Sequence, residues 1–406
     1  MAANYNARMQ SRWNDSEAAC RGGELALRAY TSRLLGADAT LVMHGGGNTS
    51  LKTGEGAVDL LYVKSTGSDL ATVDESAFTP LRLDGVRAVL ANDCADNAAM
   101  MRALDACIAR RPAPRPSIET LMHASLPFRF VEHTHADSVL AALNVEAVDT
   151  VHARIYGDVA PLVPYHHSGH GLARACMEIF AARRTPRTVG LILAFHGVVA
   201  FGDDARESYE NMIRLVTMAE DYLKARGAWD VPPRRAAAAS PDNAALEDVH
   251  GEINAVAGAS LAMQVVTATR CLAFAQRPDL AEISQQGPAT PQHAVYTKRV
   301  PMLGRDVRAF ATQYRDYLDM HLGKAASVMI DAAPRIMLDP AFGMVAFGTT
   351  ARAAEIAAAM YQHDIAIITC ANAHGRYRSA PPAEIAQAEF EYGGHAQSTA
   401  PARDYK

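Results

Sequence analysis

Apolar residues recur at helical spacing over residues 24–35, 97–110, 172–182, 206–223, 252–274, 306–322 and 351–362, a period that predicts helices. Shorter extended runs lie between them, at 39–43, 49–52, 58–64, 154–163, 189–200 and 366–369. The run at 189–200 reads as one long strand with His196-Gly197 in its middle, and 335–338 with 343–347 reads as a hairpin. Gly45-Gly46-Gly47-Asn48 breaks the first extended run, so this region reads as a sheet interrupted by a glycine-rich turn. A second turn of small residues follows at Ser65-Thr66-Gly67-Ser68. Amides in both turns could converge on an anion, although a tight hairpin that uses glycine for positive φ is the plainer account of the first.

The proline-rich stretch 111–116 stops the second helix, and Ser117 then caps a short helix over 118–124 with Glu119 in its first turn. Residues 130–137 read as the end of a strand running into a helix at 137–143. Val131, His133 and His135 alternate there with Glu132 and Thr134, so both imidazoles project from one face. Two such histidines can each give a nitrogen to one divalent ion at about 2.0–2.1 Å. Residues 229–243 change character, with Pro232-Pro233, an alanine run and Ser240-Pro241. That composition predicts a linker at 231–246 between an α/β domain at 1–230 and a second at 247–393, with 394–406 as a disordered tail.

Composition narrows the classes. A chain of 406 residues suits two or three domains, and 49% hydrophobic with 20% charged residues is ordinary for a soluble globular protein. A net charge of −5 argues against nucleic acid or an anionic membrane as the main partner. No apolar run approaches the roughly 18–20 residues that span a bilayer, and residues 1–16 lack the apolar middle of a signal peptide, so a cytoplasmic protein is expected. The six cysteines are scattered without a CxxC pair and read as reduced core thiols. No GxGxxG opens a helix; Gly169-His170-Gly171 has Arg174 where the third glycine belongs.

Candidate chemistry centres on the 133–135 pair. His196 is the natural third ligand, because three histidines plus one open position is the usual form of a catalytic zinc site. Glu119 could bind the same metal or act as a base beside it. The residues alone leave structural readings open: paired histidines often serve packing, and a glutamate in a first helical turn complements the helix dipole. His166, His167 and His170 form another group in the 164–171 loop, where solvated side chains are the plainer account.

Five motifs carry a resemblance. Gly47-Asn48-Thr49-Ser50, Ser65-Thr66-Gly67-Ser68, Ser117-Ile118-Glu119, His133-Thr134-His135 and His196-Gly197 stand in the order found in the class II aldolase/adducin family, over residues 20–225. The stretch from His196 through Phe201-Gly202-Asp203 to Arg206-Glu207-Ser208-Tyr209-Glu210 further resembles long proteins that fuse such an aldolase to a short-chain dehydrogenase. Residues 240–406, with Pro291-Gln292-His293 and Thr297-Lys298-Arg299, resemble the region those proteins place between the two parts, and the chain ends where the dehydrogenase would begin.

The resemblance implies a central mixed or antiparallel β-sheet flanked by helices, plus a C-terminal α/β domain. It implies Zn²⁺, or another divalent cation, on His133, His135 and His196, with Glu119 as fourth resting ligand and acid/base. Gly47, Asn48, Ser50, Thr66, Gly67 and Ser117 would cradle the phosphate of a small sugar substrate. Ile118 stands where fuculose-phosphate aldolases have a second serine, so one phosphate contact is absent or comes from Ser65 or Ser68. A homo-oligomer, by family habit a tetramer, would supply a tyrosine from a neighbouring subunit, with Tyr156 and Tyr165 as candidates. The implied reaction is reversible cleavage of a ketose 1-phosphate, of the rhamnulose or fuculose type, to dihydroxyacetone phosphate and an aldehyde through an enediolate that the cation stabilises. Epimerisation, decarboxylation or dehydration of a sugar phosphate would use the same cation, and a non-catalytic adducin-like module is the rival from another class. In the second half, Asp339, His363, Asp364, His374, Glu389 and Glu391 form no constellation that the sequence defines.

Overall fold

The structure, a computed structural model, describes residues 8–55, 58–94, 96–233, 237, 242–324 and 328–397. The chain divides into two compact units, one of Met1–Leu143 with Ala147–Trp229, the other of Asn144–Glu146 with Asp230–Lys406.

The first unit is built on a seven-stranded sheet. Its strands are β1 (Asn48–Glu55), β2 (Val58–Lys64), β3 (Phe78–Arg82), β4 (Phe130–Thr134), β5 (Leu162–Val163), β6 (Gly190–Leu193) and β7 (Gly197–Gly202), in the order β3-β2-β1-β4-β7-β6-β5. Every pairing is antiparallel except β5 with β6, which gives the mixed sheet flanked by helices that the resemblance implies. One face buries Leu61, Val63, Val131, Val199 and Phe201 against residues of helices Leu83–Ala91, Asn97–Ala106, Thr120–Ser125 and His170–Arg183. The other face carries Leu51, Leu60, Tyr62 and Phe130, covered by helices Glu24–Gly36 and Ala205–Lys224.

Alternation in β4 sorts its side chains between these faces. Glu132 points away from His133 and receives both carboxylate hydrogen bonds from Arg28 Nη2, at 2.7 and 2.6 Å, with a third from Ser208 Oγ at 2.8 Å. Both ends of this ion pair are fully buried, which is tolerable only because the carboxylate is so completely bonded.

Several expected elements differ. Residues 39–43 form a turn, because the Asp38 carboxylate accepts from Thr40 N and Thr40 Oγ1 while its carbonyl accepts from Leu41 N. Of the extended run expected at 154–163, the first two residues end helix Val148–Ile155, the stretch 156–160 is turn and bend, and only Leu162–Val163 is strand. The single strand expected at 189–200 is the hairpin β6–β7, because Phe195 and Gly197 adopt positive φ, 55° and 153°.

The second unit holds a four-stranded sheet, β8 (Ala262–Val266), β9 (Met302–Leu303), β10 (Ile336–Asp339) and β11 (Gly343–Gly348), in the order β8-β11-β10-β9. The hairpin expected at 335–347 is β10–β11. The helix expected over 252–274 is broken by Gly258, at φ 65°, into helix Asn243–Ala257, β8 and helix Thr269–Ala275. The strand expected at 366–369 lies inside one helix, Ala351–His374, where an alanine-rich run continues the helical period. Helix Pro382–Gln397 covers the start of the expected tail, whose residues 398–406 lie outside the described ones, as does most of the alanine run in the expected linker. Among the described residues no helix is long and apolar enough to cross a membrane.

Candidate metal centre

The sheet order explains how distant motifs meet. β1, β4 and β7 are antiparallel neighbours, so the end of β4 lies between the starts of β1 and β7, with Asn48 opposite His133 and Val198 opposite Thr134. His133 is within β4, His135 follows its last residue, and His196 sits in the β6–β7 turn, one residue before β7. Their ring centroids are 4.8, 4.9 and 5.1 Å apart, and one nitrogen from each lies within 4.8 Å of the others. All three rings are buried. Glu119, at the start of helix Thr120–Ser125, places Oε1 3.1 Å from His196 Nε2 and Oε2 3.5 Å from His133 Nε2.

The proton inventory favours a cation here. His133 Nδ1 donates to the Val198 carbonyl at 3.1 Å, which fixes the tautomer and leaves Nε2 bare. That bare nitrogen lies 3.0 Å from His135 Nε2 and 3.5 Å from the Glu119 carboxylate, so His133 supplies no proton to the carboxylate it faces. Burial lowers the His133 pKa to about 4, so the ring is neutral at pH 7, as a ligand must be. Burial also pushes the Glu119 carboxyl up, but the imidazoles of His133 and His196, with hydrogen bonds from His196 and Asn48, outweigh it and hold the group well below the usual carboxylate range. Three imidazoles and one carboxylate suit a divalent ion such as zinc.

Around this cluster lie Asn48, Ser50 and Ser117, expected from their motifs, and Ser168, His123 and Lys64, which spacing did not reveal. Asn48 Nδ2 donates to Glu119 Oε2 at 2.6 Å and to Ser117 Oγ at 3.2 Å, while Ser168 Oγ donates to Glu119 Oε1 at 3.1 Å. His123, fully buried, bonds Asn48 through one ring nitrogen and Ser50 through the other. Lys64, at the end of β2, donates to the carbonyls of Gly45 and Gly47 at 3.0 and 3.2 Å; burial lowers its pKa to about 8, with Asp69 and Glu119 opposing.

The two expected anion turns lie against each other: a Cβ on Gly45 would stand 3.6 Å from the Gly67 carbonyl oxygen. Gly47 has φ 59° and its Cβ would meet the His133 carbonyl at 2.6 Å, so this position needs glycine for both reasons. The candidate phosphate donors are not equivalent. Thr66 gives its N–H to Arg115 O and its hydroxyl to Pro116 O, and Ser65 and Ser68 bond each other at 2.6 Å. Ser117 Oγ accepts from Asn48 and from Glu119 N, which leaves its own proton available.

Other candidates separate from the cluster. His170 Nε2 bonds the Leu90 carbonyl at 3.0 Å, and the only metal-like grouping among the described residues is His133, His135 and His196. Tyr156 is buried and its hydroxyl donates to Leu215 O at 3.0 Å inside its own unit, so it is not presented to a neighbouring subunit. In the second unit, Asp364 accepts from His293 Nδ1 at 2.8 Å, Asp339 from Arg305 Nε at 2.8 Å, and Glu389 from Arg299 N at 2.7 Å.

Comparison with known proteins assigns the family. The model of the class II aldolase and adducin N-terminal domain matches residues 26–223, and that of the aldolase class II second domain matches residues 241–393. The chain belongs to the class II aldolase and adducin family. A relative in Bacillus subtilis (strain 168), named "Uncharacterized oxidoreductase YuxG", is 28% identical over 93% of this chain, which spans 58% of that protein's length. Among solved structures, the N-terminal class II aldolase domain of a conserved protein from Thermoplasma acidophilum is 36% identical, covering 53% of this chain and 99% of that one, with a TM-score of 0.49. The l-fuculose-1-phosphate aldolase of Thermus thermophilus is 18% identical, covering 50% of this chain and 94% of that one, with a TM-score of 0.34.

Proposed function

We propose that this class II aldolase family member is a metal-dependent carbon–carbon lyase that cleaves a ketose 1-phosphate, of the rhamnulose or fuculose type, to dihydroxyacetone phosphate and an aldehyde. The observation that carries the reading is the convergence of three buried imidazoles and one carboxylate where β1, β4 and β7 meet. His133, His135 and His196 would hold the ion, with zinc the best match to this donor set, and Glu119 would complete the resting site. When bound, the ion supplies Lewis-acid stabilisation of the negative charge left on the dihydroxyacetone phosphate half.

The chain's own residues do the rest. Glu119, an ionised carboxylate against the imidazoles, takes and returns the proton at C3 of that half. Its hydrogen bonds from Asn48 and Ser168 hold the carboxylate in place before substrate arrives. The 45–47 and 65–68 turns, with the Ser117 hydroxyl, would cradle the phosphate dianion through amides other than those of Gly46, Ser65, Thr66 and Ser68, which bond carbonyls. The buried Lys64 ammonium braces the first of these turns and adds positive charge beneath it. In this reading the protein acts in the cytoplasm as a homo-oligomer, a tetramer, with Tyr165 the remaining candidate for the acid from a neighbouring subunit.

A product assay tests the proposal. Purified, zinc-loaded protein is incubated with rhamnulose 1-phosphate and fuculose 1-phosphate, and dihydroxyacetone phosphate is followed by its reduction. Release from at least one, abolished by chelation, is expected; products of epimerisation or decarboxylation of other sugar phosphates, without dihydroxyacetone phosphate, would overturn it.

A further inference from the structure

We infer that His123 is a positioning residue, which orients the Glu119 carboxylate at the three imidazoles through the side chain of Asn48; this rests on the reading of Glu119 as the acid/base. His123 Nε2 lies 2.5 Å from Asn48 Oδ1, and Asn48 Nδ2 lies 2.6 Å from Glu119 Oε2. Ser50 Oγ closes the far end of the chain, 2.8 Å from His123 Nδ1. Ser50 and His123 are fully buried, and Asn48 and Glu119 are nearly so, so water does not offer alternative partners.

The direction of every proton follows from the acceptor at one end. The ionised Glu119 carboxylate has no proton to give, so the Asn48 amide must turn its NH₂ toward it. The Asn48 carbonyl then faces His123, whose Nε2 must carry a hydrogen. With Nε2 protonated in a neutral ring, Nδ1 is an acceptor, and the Ser50 hydroxyl donates to it. The order is therefore Ser50 to His123 to Asn48 to Glu119, with one tautomer and one amide orientation permitted.

Two consequences follow. Without the His123 N–H, the Asn48 amide loses the partner that holds its oxygen away from Glu119, and a flipped amide would set oxygen against carboxylate. Ser50, in turn, has committed its single proton to His123, so it serves the carboxylate and not the phosphate for which motif matching selected it. His123 touches neither the imidazole cluster nor the two turns in these bonds, which separates its role from metal binding and phosphate binding. The helix explains its placement: His123 N bonds Glu119 O, so the two side chains sit one turn apart on helix Thr120–Ser125 and its start.

The test uses the full chain with ring-nitrogen NMR, metal analysis and ketose 1-phosphate cleavage. Long-range proton–nitrogen spectra of ¹⁵N-histidine-labelled protein, with the His123→Gln spectrum giving the assignment, are expected to show His123 protonated at Nε2 and bare at Nδ1. His123→Leu is expected to keep its zinc within twofold and its KM within about threefold while kcat falls about 10- to 100-fold. His123→Gln, whose amide N–H can reach the Asn48 carbonyl, is expected to recover most of that loss. A wild-type His123 protonated at Nδ1, or a His123→Leu variant with unchanged kcat, overturns the inference. Should the wild type cleave no ketose phosphate, the aldolase reading fails by itself, and the tautomer still decides the orientation of Asn48. Should His123→Leu not fold, the tautomer and the His123→Gln kinetics decide it, and a Gln variant as inactive as one lacking Glu119 counts against the relay.

Discussion

At the scale of single residues, Glu119 is the group on which the proposed chemistry turns. It is nearly buried, bonded by Asn48 and Ser168, and directed at His133 and His196. Glu119→Gln keeps the shape and removes both the negative charge and the proton acceptor. General acid–base groups contribute about 10²–10⁴-fold, so kcat is expected to fall within that range while the three histidines still bind zinc. Steady-state kinetics beside metal analysis checks it; a Gln variant within a few-fold of wild type would remove Glu119 from the proton chemistry. On the opposite side of the same strand, Glu132→Gln leaves Arg28 buried with its charge uncompensated. Breaking such a pair costs about 3–5 kcal/mol, so a urea titration is expected to show a large loss of stability with zinc binding intact below the transition. His123, Lys64 and the Arg28–Glu132 pair were all invisible to motif spacing. His123 had a faint signal, since it stands one helical turn beyond Glu119, but a single i,i+4 pair does not distinguish a buried relay from an exposed one.

At the scale of elements, the β6–β7 hairpin decides whether a third ligand exists. Read from hydrophobicity, residues 189–200 are one long apolar strand, and such a strand would carry His196 in mid-run. The actual turn depends on backbone angles that apolar patterning does not encode: Phe195 is left-handed, and Gly197 at φ 153° packs so that a Cβ would stand 2.2 Å from the Thr134 carbonyl. Gly197→Ala therefore forces β7 away from β4 and shifts His196. Unfavourable φ alone costs about 1–3 kcal/mol, and the clash adds to it. Thermal unfolding with zinc titration is expected to show both lower stability and at least tenfold weaker zinc binding; wild-type affinity in this variant would show that the turn does not place the ligand. The helix Val148–Ile155, whose buried side carries Val151 and Ile155, overlaps the run read as extended at 154–163 only at its last two residues. Turns with distinctive small residues, at 45–48 and 65–68, were legible because only a few residue types allow those angles.

At the scale of the whole molecule, five short motifs spread across the first unit become one site because of strand order. β1, β4 and β7 are neighbours and antiparallel, so a start, an end and a start come together, and the end of β2 brings Lys64 to the same side. No local pattern contains that order; the sequence of motifs did, through likeness to a family whose fold brings them together. The second unit offered no comparable set: His293 pairs with Asp364 and Arg305 with Asp339 within that unit. The account as a whole stands on whether the three imidazoles grip an ion. Titration of zinc into metal-free protein, followed by calorimetry, measures this most directly. One ion per chain is expected for the wild type, with no comparable binding in a His133→Ala variant whose circular dichroism is unchanged. Equal zinc binding by the two proteins, or no binding by the wild type, would contradict it.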